Sequence, residues 1–155
     1  MGWSMNYSQT ISTPAGDISV TANEEFVIKI SFGKADLEKP NPLTQKASNQ
    51  LKEYFAGKRT EFNLPIEAQG TDFQKSVWAE LLKIPAGKTK SYGEIARLVG
   101  KPKAARAVGG AVGSNPIAVV IPCHRVMAAS GAITGYTGGN GVTTKRQLLD
   151  LEGVG

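Results

Sequence analysis

Among 155 residues there is one cysteine and one histidine, and both scarcities exclude something. A lone cysteine forms no internal disulfide, and one Cys plus one His cannot complete a tetrahedral zinc site without carboxylate help. The expectation is an intracellular, cytoplasmic protein with no metal and no cofactor. No apolar run approaches the roughly 18 residues that span a bilayer. The amino terminus lacks a basic segment followed by a hydrophobic one, and Asn6 stands where myristoylation requires Ser or Thr. No membrane partner is therefore expected. Aromatic residues are 7% of the chain, but the 41% hydrophobic and 20% charged fractions are ordinary for a globular protein. They argue against disorder, collagen and coiled coil, and the length suits one domain or two small lobes.

The net charge of +5 is unevenly spread. Residues 1 to 70 hold seven Lys/Arg and eight Asp/Glu, whereas residues 71 to 155 hold eleven and five. A basic second half suits a polyanion, since phosphates attract Lys and Arg and release counterions on binding. On charge alone, a solvated basic face is the plainer reading.

The first half reads as a small sheet with one helix. Tyr7 to Ser12 and Ile18 to Ala22 flank a turn containing Pro14 and Gly16, which predicts a hairpin. Phe26, Ile28, Ile30 and Phe32 alternate as in a half-buried third strand. Asn41-Pro42 then opens a helix, with Leu43, Ala47, Leu51, Tyr54 and Phe55 on one face until Gly57.

A boundary is expected at Ala68-Gln69-Gly70. Thr71-Asp72-Phe73-Gln74 is a capping box, opening a helix with Phe73, Val77, Trp78, Leu81 and Leu82 as its apolar stripe. Ser91-Tyr92-Gly93-Glu94 is a second box, for a helix carrying Ile95, Ala96, Leu98 and Val99. A third helix is predicted from about Lys103 to Val112, so the pair has the ingredients of a helix-turn-helix. Ala104, Ala105, Ala107, Gly109, Gly110 and Ala111 leave that third helix nearly without bulk, although each glycine costs roughly 1 kcal/mol relative to alanine. Either a neighbouring helix or a nucleic-acid groove would explain such a surface, and Lys101, Lys103 and Arg106 favour the groove. Ile117 to Ile121 reads as a short buried strand. A glycine-rich loop, Gly135 to Gly141, and a last helix with Leu148, Leu149 and Leu151 close the chain.

Gly87-Lys88-Thr89 is not a P-loop, because Leu82 stands where its first glycine belongs, and Gly109, Gly110 and Gly113 make no dinucleotide fingerprint. Cys123 is the more informative residue. A free cysteine is commonly an inert buried hydrophobe. Here the only imidazole, His124, is adjacent, and Arg125 adds positive potential favouring thiolate. Adjacent side chains diverge, so His124 is expected to reach the sulfur through a water, with Glu152 a candidate to orient the ring.

At Pro122-Cys123-His124-Arg125-Val126 the chain resembles the O6-alkylguanine-DNA alkyltransferases, also called methylated-DNA–protein-cysteine methyltransferases. The resemblance extends from about Thr71 to Gly153, through Ser91-Tyr92-Gly93, Lys103 to Gly110, Ser114-Asn115-Pro116, Gly135 to Gly139 and Leu148-Leu149 before Glu152-Gly153. Residues 1 to 70 match the family's amino-terminal lobe only in length and element order. The resemblance implies an α/β (α+β) fold: a ribonuclease-H-like sheet-plus-helix lobe over residues 1–68, then a winged-helix-like lobe over 71–155 with a helix-turn-helix and the active-site cysteine.

It also implies a DNA repair enzyme acting once and irreversibly. Cys123 would take a methyl or other alkyl group from O6 of guanine, with O4 of thymine a further candidate, in double-stranded DNA bound as a monomer through the minor groove. Tyr92 would hydrogen-bond the extruded guanine, Arg106 would replace it in the stack, and Lys103, Ala105 and Arg125 would meet the DNA. Asn115 would tie the recognition helix to the active-site turn, and His124 with Glu152 would form the relay that makes thiolate. The carbonyls of Cys123 and Val126 would accept from the guanine amine, while Tyr136 and Thr137 would wall the pocket. Thr137 replaces the serine common in the family, and Ala118 the proline of vertebrate forms. The loop before Lys145 is two residues longer, so that lysine is given no role. Three alternatives stand beside this reading: a non-catalytic alkylguanine lesion-binding protein, a helix-turn-helix DNA-binding regulator, and a Cys-His hydrolase.

Overall fold

Three antiparallel strands open the chain in a computed structural model that describes residues 5–133, 135–136 and 138–154. β1 (Tyr7–Thr13) pairs with β2 (Gly16–Ala22) in the register Ile11 to Ile18, and the turn between them is Pro14-Ala15. Gly16 has φ 104°, which a side chain would resist. β2 pairs in turn with β3 (Val27–Phe32), giving the order β1-β2-β3. Here the expected alternation fails. Thr21 pairs with Lys29 but Ala22 with Val27, so Ile28 is the extra residue of a bulge. The bulge turns Val27 inward with Ile30, while Phe26, Ile28 and Phe32 stay half-buried.

α1 (Pro42–Phe55) lies against all three strands. Its start follows from local chemistry: the Asn41 side chain accepts from Thr44 N–H, the Thr44 hydroxyl accepts from Asn41 N–H, both at 2.8 Å, and Pro42 needs no partner there. Ala47, Leu51 and Tyr54 are buried, as the periodicity predicts, but so are Thr44, Ser48 and Gln50. Thr44 donates to Gln9 Oε1 at 2.8 Å, and Gln50 exchanges two hydrogen bonds with the backbone of Asn63. Such pairing makes buried polar groups tolerable.

Contacts divide the chain into two compact units, Met1–Ala68 and Gln69–Gly155. The second contains α2 (Asp72–Leu81), β4 (Lys90–Ser91), α3 (Tyr92–Leu98), α4 (Ala105–Gly113), β5 (Val126–Met127) and α5 (Val142–Leu151). Both capping boxes form as the sequence predicts, Thr71 with Gln74 and Ser91 with Glu94. α4 starts two residues later than expected, and Lys103 sits in the turn before it. Val77, Trp78, Leu81, Ile95, Val108, Val112, Leu148 and Leu149 form the core of this unit. Leu82, Leu98 and Leu151 lie at helix ends and face outward. β4 and β5 pair in parallel, Lys90 with Val126, and fasten the segment after the cysteine beside the start of α3. The architecture is thus α/β, with two small sheets and five α-helices among the described residues. None of those helices is long and apolar enough to cross a membrane.

Candidate active site

The run Ile117 to Ile121 is buried, but it is not the strand its composition predicts. Two hydrogen bonds from one neighbour bend it. Asn115 accepts from Ile117 N–H at 2.9 Å and donates through Nδ2 to the carbonyl of Ile121 at 2.7 Å, which draws both ends of the run together. Val119 takes φ 70° at the bend, and the N–H groups of Val120, Ile121 and Cys123 close successive short turns. A β-branched residue with positive φ is strained by roughly 1–3 kcal/mol, so the surrounding contacts must hold it there. Pro122 then leads into a 3-10 turn, Cys123–Arg125, closed by Arg125 N–H to the Pro122 carbonyl.

The Cys123 side chain faces a cavity of about 330 Å³ between the start of α3, α4 and the glycine-rich loop, lined by Tyr92, Gly109, Val112, Gly113 and Tyr136. Burial pushes the thiol pKa up, and hydrogen bonds from Asn115 and Tyr136 and the charge of Lys145 oppose that rise. Desolvation is the larger effect, so the resting sulfur is protonated and needs a base to become nucleophilic.

Lys145 is a site residue that sequence reading passed over. It is 1% exposed, and its Nζ donates to the carbonyl of Val126. Burial lowers its pKa, and Cys123 acts against that change. The available signal was its spacing, since Lys145, Leu148 and Leu149 lie on one face of α5. The Val126 carbonyl is thus already engaged by Lys145, and that of Cys123 by the N–H of Val126. Each carbonyl keeps a second lone pair for a ligand amine.

His124 is wholly buried, with Nε2 at 2.7 Å from Glu152 Oε2. Burial lowers its pKa, against the hydrogen bond and charge of Glu152, and Arg125 and Lys145 lower it further. Its Nδ1 has no hydrogen-bond partner among the described residues. The expectation for Arg125 needs correction. It is 6% exposed and turned inward, with Nε and Nη2 on the two oxygens of Glu152 at 2.8 Å and Nη1 on the Ile84 carbonyl at 2.6 Å. A guanidinium so occupied does not meet DNA phosphates. The cation acting on Cys123 is Lys145 rather than Arg125.

α4 presents Ala105, Arg106, Ala107 and Gly110 to solvent, as the turn before it does Lys103, and turns Val108, Ala111 and Val112 inward. Trp78 Nε1 donates to the Ala111 carbonyl at 2.8 Å and fastens the helix to α2. A side chain at Gly110 would meet nothing within 4 Å, and one at Gly109 would only touch the Tyr92 ring at 4.0 Å. Internal packing therefore does not require either glycine, which removes the neighbouring-helix explanation for the bare surface. Tyr92, Cys123 and Tyr136 are brought together around the cavity, Val126 is buried in β5 outside its lining, and Lys103, Ala105 and Arg106 are exposed. Thr137 lies outside the described residues.

Two family profiles match the chain. One, described as the DNA-binding domain of 6-O-methylguanine DNA methyltransferase, covers residues 72–154, and the other, its ribonuclease-like domain, covers residues 6–68. The chain belongs to the 6-O-methylguanine DNA methyltransferase family. It is 45% identical to the methylated-DNA–protein-cysteine methyltransferase of Mycobacterium tuberculosis, over 96% of this chain and 93% of that one. A crystal structure of Mycobacterium tuberculosis OGT in complex with DNA superposes with a TM-score of 0.86 at 46% identity, over 94% of this chain and 92% of that one. A smaller neighbour of this methyltransferase-family chain is S. pombe Atl1 in complex with damaged DNA containing O6-carboxymethylguanine. It is 36% identical with a TM-score of 0.50, over 56% of this chain and 81% of that one.

Proposed function

We propose that this chain repairs alkylated DNA by direct reversal, taking a methyl or other alkyl group from O6 of guanine onto Cys123 in one irreversible turnover. The observation that carries the reading is the thiol itself. It faces a cavity large enough for a flat base, beside an exposed helix whose groove side bears almost no side chains. The target atom is inside the duplex stack, so the nucleotide is extruded at a cost of a few kcal/mol, less where the lesion has weakened its pairing. α4 enters the minor groove, where bulk would hold it away from a channel about 6 Å wide. Arg106 fills the gap in the stack, and Lys103 and Ala105 meet the backbone.

Beneath the cavity, His124 takes the thiol proton through a water and Glu152 stabilises the imidazolium. The sulfur attacks the alkyl carbon, the carbon to O6 bond breaks with its electron pair going to the purine, and Tyr92 supplies a proton to the departing ring. The product is a thioether, which has no leaving group to regenerate the thiol. Residues 1–68 and 71–155 act as the ribonuclease-like and DNA-binding lobes of a cytoplasmic monomer.

Incubation with a duplex containing O6-methylguanine should add one methylene to the peptide bearing Cys123, in at most one equivalent per chain. An unmodified Cys123 after excess substrate would overturn the reading. Tight binding of the lesion without any mass change would instead favour the Atl1-like, lesion-binding alternative. A regulator would prefer one sequence strongly, whereas repair requires affinity that is nearly indifferent to sequence and falls steeply with salt.

A further inference from the structure

A guanidinium inside a protein needs pairing, because a buried cation is costly unless its hydrogen bonds are met. Arg125 meets that condition through Glu152, whose two oxygens it engages separately, and through the Ile84 carbonyl. The same carboxylate holds His124 Nε2. One carboxyl group therefore lies between a guanidinium and an imidazole, and its side chain is 1% exposed.

This arrangement decides where the imidazole hydrogen resides. An ionised carboxylate can only accept, so Nε2 carries the hydrogen and Nδ1 keeps its lone pair. A protonated Glu152 would donate to Nε2 instead, which moves the ring hydrogen to Nδ1 and closes the acceptor. Among the described residues the buried Nδ1 has no hydrogen-bond partner.

We propose that Arg125 is a positioning residue for alkyl transfer: its two-point grip holds Glu152 as a carboxylate aimed at His124 and so keeps Nδ1 open to receive the Cys123 proton. The inference rests on the reading of Cys123 as the alkyl acceptor. In the step it serves, the S–H bond breaks, the electron pair stays on sulfur, and an N–H bond forms at Nδ1 through a bridging water. The imidazolium later gives that proton back, replacing the one that Tyr92 passes to the departing guanine.

The charged groups acting on His124 are Glu152 at the end of α5, Arg125 in its own turn and Lys145 from within α5. Loss of Arg125 removes a cation that disfavours imidazolium and also strengthens proton binding by Glu152. Both changes make the pair take up a proton at higher pH.

His124 is the sole histidine, so 15N labelling of histidine reports only its two ring nitrogens. The wild type should show a protonated Nε2 and a bare Nδ1 at neutral pH, with the Glu152 carboxyl carbon at its ionised shift. A hydrogen on Nδ1, or a protonated Glu152, would overturn the proposal even if no variant folds. The second measurement is the single-turnover transfer rate against pH, with saturating duplex. In Arg125→Gln the acid limb should move up by about one pH unit or more, with the rate recovering at high pH. Arg125→Lys, which keeps the charge but not the fork, should fall between. A loss of rate at every pH with the limb unmoved would mark Arg125 as merely structural. A weaker DNA affinity with the limb unmoved would restore it as a DNA contact, and either result overturns the proposal. A wild type that transfers nothing at any pH would instead refute the role of Cys123, leaving the ring-nitrogen result to judge Arg125.

Discussion

Gly110→Ala should make the protein more stable and a poorer DNA binder. Gly110 lies within α4 with ordinary helical φ, and a Cβ there meets nothing within 4 Å. The substitution thus adds helix propensity without a clash, worth up to about 1 kcal/mol, and raises the melting temperature by about 2–4 °C for a chain of this size. Gly110 is also one turn beyond Arg106 on the same exposed face, since positions four apart stack on a helix. If that face enters a groove, the added methyl stands between backbone and DNA. A loss of about tenfold in affinity corresponds to about 1.4 kcal/mol, and Gly110→Leu should lose more while remaining folded. Thermal melts followed by circular dichroism and fluorescence anisotropy with a labelled duplex measure both effects. A lower melting temperature for the alanine variant would show that the helix needs its glycine internally. Unchanged DNA affinity in the leucine variant would refute α4 as the groove helix.

Asn115→Ala leaves the Ile117 N–H without its partner and the Ile121 carbonyl with only the Cys123 N–H. A buried group left unpaired costs about 1–3 kcal/mol, so urea unfolding should show a loss of about that size, and transfer by Cys123 should slow with it. Trp78→Phe keeps one aromatic ring but removes the indole's second ring and its donor to Ala111; at least about 1 kcal/mol of stability should go, with DNA affinity falling further than in a control of equal stability. His124 has a folded pKa below its unfolded value, so the unfolded chain binds the extra proton. Stability should therefore hold above the unfolded value near 6.5 and decline as the pH falls below it. His124→Gln should flatten that acid decline, and an equally steep decline in the variant would refute it.

Residues whose roles are local were readable without coordinates. The capping pairs Asn41–Thr44, Thr71–Gln74 and Ser91–Glu94 set helix starts through contacts three residues apart, which a linear pattern contains. The resemblance around Pro122 to Val126 pointed to His124 with Glu152, 28 positions apart, and the structure places these two in contact. What a linear reading misplaced depends on distant partners. Ile117 to Ile121 has the composition of a strand, but its course is set by Asn115 and by the bend at Val119. Arg125 counts as a surface cation until Glu152 and Ile84, 27 and 41 positions away, are seen to occupy it. Lys145 counts as an ordinary helix lysine until its neighbours cover it.

The raised pKa of Cys123 accords with alkyl transfer once two properties of sulfur are separated. A thiolate is the attacking species, and burial makes it scarce. Yet the intrinsic nucleophilicity of a thiolate rises with its pKa, so the same burial makes each thiolate formed more reactive toward carbon. A reagent that acts once benefits from both effects. In the proposed reaction the resting thiol is protected from stray electrophiles in solution, and His124 as base would supply the strong nucleophile when a substrate is seated. On that proposal the reactivity belongs to Cys123 and its timing to the buried network of His124, Glu152 and Arg125. A variant altered in the network should therefore change the pH at which transfer switches on before it changes how the thiolate, once formed, attacks.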